Sequence, residues 1–248
     1  MVDRVAELAA VAFDLDDTLF DHSGASRRAV SAWLPTLGGQ YSPEMVDAWF
    51  VAERTHLPAW RDGHVSFAEQ RRRRLRDMLD LLGLPSRPDD ALDALFADYL
   101  DVYRQLWTAF DDVEAAIEVV AAQGLRIGVL TNGPDDLQRA KIAAIGLTDR
   151  LGPVLAADVL GVAKPHPGAY AGLCAALGLG PASVLYVGDD HELDVVAARS
   201  AGLHAVHLDR RGVGLEPEHT RITSLRELAP HLTLRASTAG TTDRGPSA

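Results

Sequence analysis

Hydrophobic positions along the chain fall into two kinds of run. Short, continuous apolar runs stand at Ala10–Leu15, Arg126–Leu130, Val154–Ala157, Val184–Val187 and Ala205–Leu208. Each is followed by turn residues and then by apolar positions at helical spacing. Strands apolar throughout, separated by amphipathic helices, predict an α/β fold, a Rossmann-like parallel sheet with helices on both faces. The first two runs are separated by more than a hundred residues, where a crossover needs about a dozen. That interval has helical periodicity. Ser66-Phe-Ala-Glu69 is a capping-box pattern opening a helix to about Leu82, where Gly83 and Pro85 stop it. Arg87-Pro-Asp-Asp opens another, with Leu92, Leu95, Phe96 and Tyr99 on one face. The pattern therefore predicts a core from residues 1–19 and 110–235, an all-helical cap over 20–109, and a small, polar, disordered tail over 236–248.

Composition narrows the function classes. With 248 residues, 47% hydrophobic and 24% charged, the chain has the make-up of an ordinary globular protein with a full core. A net charge of −11 disfavours nucleic acid and anionic membrane as partners. No apolar run approaches a membrane span, and the opening MVDRVAELAA lacks the features of a secretory signal. A single cysteine, Cys174 in an Ala-rich segment, reads as a small buried residue and excludes an internal disulfide. These features together predict a cytoplasmic protein, a monomer or homodimer. Of the 24 basic residues only two are lysines, Lys141 and Lys164. Arginine stands nearly everywhere else, which raises the question of what it could not do at those two places.

Candidate chemistry gathers at the strand ends, where an open parallel sheet binds its ligands. The first run leads into Asp14, Asp16, Asp17 and Thr18, and the second into Thr131-Asn132-Gly133. Beyond the third lies Lys164-Pro165, and after the fourth come Gly188-Asp189-Asp190, Glu192 and Asp194. Asp14 and Asp16 alternate, so an extended backbone turns both to one face. Asp189 arriving beside them makes a set of carboxylates suited to a hard divalent cation such as Mg²⁺. A lysine and a threonine hydroxyl are phosphate partners. Together they describe a phosphoryl-transfer site.

On these residues the chain resembles the haloacid dehalogenase-like (HAD) hydrolase superfamily, and nearly the whole chain is covered. The DxDxT motif is Asp14-Leu-Asp16-Asp-Thr18, the second-strand threonine is Thr131 in LTNG, the lysine is Lys164 in AKPHP, and GDxxxxD is Gly188-Asp189 through Asp194. The resemblance implies a Mg²⁺-dependent phosphatase with a small helical cap, acting on a small phosphorylated metabolite. Asp14 would attack phosphorus and form an aspartyl-phosphate. Asp16 would protonate the leaving group and then take a proton from the hydrolytic water. Asp14, the Asp16 carbonyl and Asp189 would hold the metal. Thr131, the Asn132 backbone and Lys164 would bind the phosphoryl oxygens. Asp194 would orient Lys164 or a water on the metal. Asp190 stands where relatives often carry serine, and Asp17 where they often carry glycine, so Asp17 reads as a turn residue.

The same resemblance implies alternatives. A phosphomutase shares every core motif. An L-2-haloacid dehalogenase needs the nucleophile but neither the metal nor an aspartate corresponding to Asp16. A phosphonatase needs a cap lysine, and the cap has none. A non-catalytic binding or regulatory protein predicts damaged motifs, and none is visible. Outside the motifs, His22 is a candidate substrate contact where the chain enters the cap. Arg71–Arg74 read as a solvated helix face with one or two members at most turned to a cleft. Trp60, His64 and Phe67 belong to the cap and are candidates to line a substrate pocket, with packing within the cap the favoured reading for the two aromatics; Thr18 and Ser23 read as local turn or cap donors.

Overall fold

The computed structural model of the chain describes residues 7–214 and 220–233. The strands are β1 (Ala10–Phe13), β2 (Arg126–Thr131), β3 (Val154–Ala156), β4 (Val184–Gly188), β5 (His204–Leu208) and β6 (Arg221–Ile222). They form one six-stranded sheet, ordered β3-β2-β1-β4-β5-β6, with every neighbouring pair parallel. The apolar runs predict the first five; β6 is two residues long and shows no period. Strand β1 ends at Phe13, before the first aspartate. Its alternation feeds both layers. Val11 and Phe13 join one buried cluster with Val129, Leu185 and Val187, whereas Ala10 and Ala12 join the other with Leu130, Tyr170 and Tyr186. A sheet covered on both faces needs no polar positions, hence the continuous apolar runs.

Between β1 and β2 the chain builds α1 (His22–Trp33), α2 (Met45–Arg61), α3 (Phe67–Leu81) and α4 (Asp89–Arg104). The α3 start follows the sequence pattern, the Ser66 hydroxyl accepting from the Glu69 amide at 3.1 Å. After α3 the chain turns at Gly83, whose φ of +69° suits a residue without Cβ. Trp33, Trp49, Phe96 and Tyr99 fill the space between these helices, with Trp49 and Tyr99 rings 4.6 Å apart. The two strands of chain that enter and leave the insertion lie side by side. Asp21 donates to the Thr108 carbonyl at 3.0 Å and Phe110 to the Leu19 carbonyl at 3.3 Å.

The rest of the chain supplies α5 (Val113–Ala122), α6 (Asp135–Ala144), α7 (Ala157–Leu160), α8 (Pro167–Leu177) and α9 (Ala197–Ser200), with a π-helical stretch at His191–Val196. Helix α5 packs against the Val11 face and α8 against the Ala10 face. Cys174, on α8, is buried and free. Among the described residues no helix is long and apolar enough to cross a membrane. The predicted tail from Ala236 and the first six residues lie outside the described residues.

Candidate active site

The order of the sheet places β1 between β2 and β4, so the chain's crossovers diverge at its carboxyl end. Asp14 is the first residue beyond β1. Its amide donates to the Val187 carbonyl at 2.9 Å, and its side chain is buried. Lys164 reaches it from the loop after α7, Nζ donating to Asp14 Oδ1 at 2.7 Å, to Asp194 Oδ1 at 2.6 Å and to the Tyr186 hydroxyl at 3.0 Å. Three N–H bonds and three converging acceptors satisfy a tetrahedral ammonium, a geometry that a planar guanidinium cannot copy. The Tyr186 hydroxyl in turn donates a hydrogen bond to the Leu130 carbonyl at 2.8 Å. Asn132 fixes the Lys164 backbone at both ends, accepting from its amide at 2.8 Å and donating to its carbonyl at 2.9 Å.

Asp14, Asp189 and Asp194 each place a carboxylate oxygen within 4.8 Å of the other two. Three buried or half-buried carboxylates against one ammonium leave an excess of negative charge, which a divalent cation would balance; the donor set is the oxygen set such a cation prefers. The proton affinities agree. Burial pushes Asp14 up to about 7 against the pull of Lys164, and Asp194 adds to the rise. Burial also drives Asp189 well above the carboxylate range, reinforced by Asp14 and Asp194. Lys164 moves upward, because Asp14 and Asp194 outweigh the effect of its burial. Gly188 is required here: a Cβ on it would overlap the Asp194 carboxylate. Asp190 sits differently. Its Oδ1 accepts from the amides of Glu192 at 3.0 Å and Leu193 at 2.9 Å, capping the π-helical stretch that carries Asp194.

Asp16 faces the same cleft but turns to α6. Lys141 donates to its Oδ1 at 2.6 Å and Gln138 to its Oδ2 at 3.0 Å, while Gln138 also donates to the Thr131 hydroxyl at 2.5 Å. Burial would raise the Asp16 carboxyl, yet Lys141, His22 and Gln138 hold it below its ordinary range. Lys141 is itself buried, so both lysines of the chain end on motif aspartates. The lone lysine of α6 is thus a functional neighbour that the motif pattern does not mark, and neither are Gln138 and Tyr186. The composition carries the signal for Lys141, since arginine displaced lysine nearly everywhere else.

His22 links this network to the helical insertion. Its Nδ1 lies 2.6 Å from the Tyr103 hydroxyl and its Nε2 3.7 Å from Glu53, which Arg74 meets at 3.1 Å. Burial lowers His22, but Glu53 and Asp16 overcome it and raise its proton affinity. Glu53 is drawn down to about 2 despite its burial, chiefly by Arg74 and His22. Asp17 adopts φ of +60° and accepts from the Ser23 amide at 2.7 Å and hydroxyl at 2.5 Å, the turn role expected of both. The Thr18 hydroxyl is buried without a hydrogen-bond partner among the described residues. Arg210 ties the loop down, with NH2 on the Thr18 carbonyl at 2.7 Å and a two-pronged pair to Asp112 at 2.9 and 3.0 Å.

Asp14, Asp16, His22, Thr131, Lys141, Lys164 and Asp189 line one cleft of about 890 Å³ between the strand ends and the helical insertion. Its far wall carries two of the four arginines of Arg71–Arg74, the most that helical spacing allowed to turn to a cleft. Arg72 and Arg73 do point outward, pairing with Asp89, Asp93 and Glu69. Arg74, however, is 5% exposed, stacked over Trp49 at 4.4 Å, and Arg71 lies over the Phe67 ring; both line the cleft. Helical spacing puts four successive residues all round the axis, and the aromatic interior decided which two turned inward. Trp60 and Phe67 are half-buried and pack on each other at 4.7 Å, lining the cleft rather than filling the inside of the insertion.

A family model described as haloacid dehalogenase-like hydrolase matches residues 8–202. The chain is 35% identical over 131 residues to the phosphoserine phosphatase of Thermus thermophilus, a match spanning 50% of this chain and 51% of that enzyme. It is 29% identical to the phosphoglycolate phosphatase of Yersinia pestis, over 81% of each chain. Against (S)-2-haloacid dehalogenase 4A of Burkholderia cepacia the identity is 28%, over 92% of this chain and 96% of that one. Among solved structures, the HAD-hydrolase YfnB from Bacillus subtilis, solved bound to magnesium, shares the fold with a TM-score of 0.78. That likeness, at 19% identity, covers 92% of this chain and 100% of YfnB. The motifs, the sheet order and the matched length agree, and the chain belongs to the haloacid dehalogenase-like hydrolases.

Proposed function

We propose that the protein is a Mg²⁺-dependent phosphatase of small phosphomonoesters. The observation that carries this reading is the excess of carboxylate around Lys164, with Asp14, Asp189 and Asp194 converging within 4.8 Å. A divalent cation bound there would offset repulsion between the Asp14 carboxylate and an anionic phosphoryl group. Asp14 Oδ attacks phosphorus and the ester bond breaks, leaving an aspartyl-phosphate. Lys164 neutralises the nucleophile, and the Thr131 hydroxyl, whose oxygen already accepts from Gln138, has its own proton free for a phosphoryl oxygen. Asp16 moves the protons, to the departing alkoxide and later from the attacking water. Asp16 therefore enters the first step protonated and regains its proton from the water in the second; the bonds from Lys141 and Gln138 favour its carboxylate, which helps it release that proton to the alkoxide. The helices α1–α4 act as the cap that selects the leaving group.

The haloacid dehalogenase relatives support a second reading, in which Asp14 displaces halide from carbon. Asp16, Asp189 and their electrostatics have no task in that chemistry. The test uses purified protein with an aryl phosphate and with (S)-2-chloropropanoate, each with and without Mg²⁺. The expected result is Mg²⁺-dependent phosphate release that Asp14→Asn abolishes, with no chloride release. Metal-independent chloride release, or full phosphatase activity in Asp14→Asn, overturns the reading.

A further inference from the structure

One guanidinium in the far wall of the cleft has no carboxylate within ion-pair distance among the described residues. Arg71 is half-buried, and among the described residues it makes neither an ion pair nor a hydrogen bond. Its neighbours in the arginine run are all paired, Arg72 with Asp89 and Asp93, Arg73 with Glu69, Arg74 with Glu53. Aromatic faces hold Arg71 instead. Its Cζ stands 4.1 Å from the Phe67 ring centroid and 4.8 Å from that of Phe96. Stacking occupies the faces of a guanidinium and leaves its N–H edges as donors. Burial and the nearby Arg74 draw Arg71 down to about 10, so it remains a cation at neutral pH, a charge kept in a partly desolvated place. Other charged groups that act on it are Asp136 of α6, which favours its charge, and Arg104 of α4, which opposes it, while Asp93 of α4, paired with Arg72, also feels it. Arg54 and Arg61 line the same cleft and add positive charge to that wall, but neither is held against a ring among the described residues.

A desolvated cation without a partner is costly to maintain unless something brings the missing anion. The cleft that Arg71 lines also holds Asp14 and Lys164, so the two face one ligand space. We propose that Arg71, braced by Phe67 and Phe96, is a second anion subsite that reads the leaving group. The substrates are then phosphomonoesters whose far end carries a carboxylate or a second phosphate. This rests on the phosphatase reading of the core, and it adds the substrate class to it.

The test compares three esters in the presence of Mg²⁺: n-propyl phosphate, phosphonooxypropanoate and propanediol bisphosphate. They share a carbon chain and differ in the tail, neutral, carboxylate or phosphate. One anionic tail is expected to raise kcat/KM over n-propyl phosphate by about ten- to a hundredfold, the usual range for a charged hydrogen-bond pair. Which tail wins identifies the anion. Arg71→Gln removes that advantage through KM and leaves n-propyl phosphate within about twofold, Arg71→Lys retains part of it, and Asp136→Asn leaves it intact. No tail preference in the unmodified protein, or an equal loss on all three esters in both Arg71 variants, overturns the subsite. So does an Asp136→Asn variant that mimics Arg71→Gln, which would make Arg71 a latch to α6. A second measurement does not depend on turnover. The Arg71 Nε–Hε NMR signal, assigned by its loss in Arg71→Gln, is titrated with propanoate and with methylphosphonate. A saturable shift with either supports the subsite and an unmoved signal overturns it, even if no ester is hydrolysed and the phosphatase reading itself fails.

Discussion

Lys164 shows at the scale of one residue why a charge-conserving substitution can fail. Its ammonium bonds Asp14, Asp194 and Tyr186 at 2.6 to 3.0 Å from a side chain 2% exposed. A guanidinium offers a planar fork, is bulkier, and cannot point three donors along these directions. Lys164→Arg is therefore expected to lower kcat/KM by about a hundredfold or more, the scale of losing one preorganised donor. Steady-state kinetics on a folded variant checks it, and activity within a few fold of the unmodified enzyme would mean charge alone suffices. Asp17 makes the opposite point. Its left-handed backbone belongs to glycine by preference, and the two bonds from Ser23 compensate a side chain there.

Among the elements, α6 does the most for the site with the least announcement. Positions 138 and 141 lie three apart, on one face of the helix, and both meet Asp16. Lys141 donates at 2.6 Å from a buried position, and with it Asp16 lies below the ordinary carboxylate range. Removing that cation in Lys141→Met lets burial dominate, so the Asp16 proton affinity rises. The basic limb of the pH–rate profile, which Asp16 sets as the acid toward the leaving group, is expected to move to higher pH, and an unmoved limb accompanied by a uniform loss of rate would assign Lys141 a packing role. Helix α3 shows how an element's environment overrides its sequence. A run of arginines reads as a solvated face, but Trp49, Phe67 and Phe96 offer planar partners, and two of the four turned inward.

Across the whole molecule, Asp112 joins distant segments of the chain at one carboxylate. Arg210 pairs with it in two prongs, and Ser224 Oγ and the Leu225 amide donate at 2.8 and 2.9 Å. Arg210 in turn holds the Thr18 carbonyl, so the motif loop after β1 is anchored through Asp112 to the short turn at Leu225–Glu227. Burial raises the Asp112 carboxyl, but these donors outweigh it and hold it below its ordinary value. A depressed carboxylate stabilises the fold at pH above its unfolded value of about 3.9, and the effect is lost as pH falls through the lower folded value. Asp112→Asn is expected to destabilise the protein by about 3 kcal/mol, the low end for breaking a buried pair, because Arg210 keeps some exposure. Denaturant melts from pH 7 to pH 3 should show the variant losing less stability on acidification than the unmodified protein. Parallel curves would remove Asp112 from the acid response.

The hydrophobic pattern alone determined the α/β sheet, five of its strands and the helical insertion, because burial on two faces and helical amphipathicity both write a period into the chain. The motif residues were legible for a related reason. Asp14, Thr131 and Asp189 sit at the carboxyl ends of those runs and Lys164 in the loop beyond the third, and parallel strands carry such ends to one edge. What the tertiary structure decided is which side chains serve them. Lys141, Gln138, Tyr186 and Arg210 reach motif residues across 22 to 193 residues of sequence, and Arg71 lines the cleft from a helix face that no local period selects. Whether a cation is paired, stacked or left waiting depends on which neighbours the packed fold brings within a few ångströms, and that distance is not written in the order of residues.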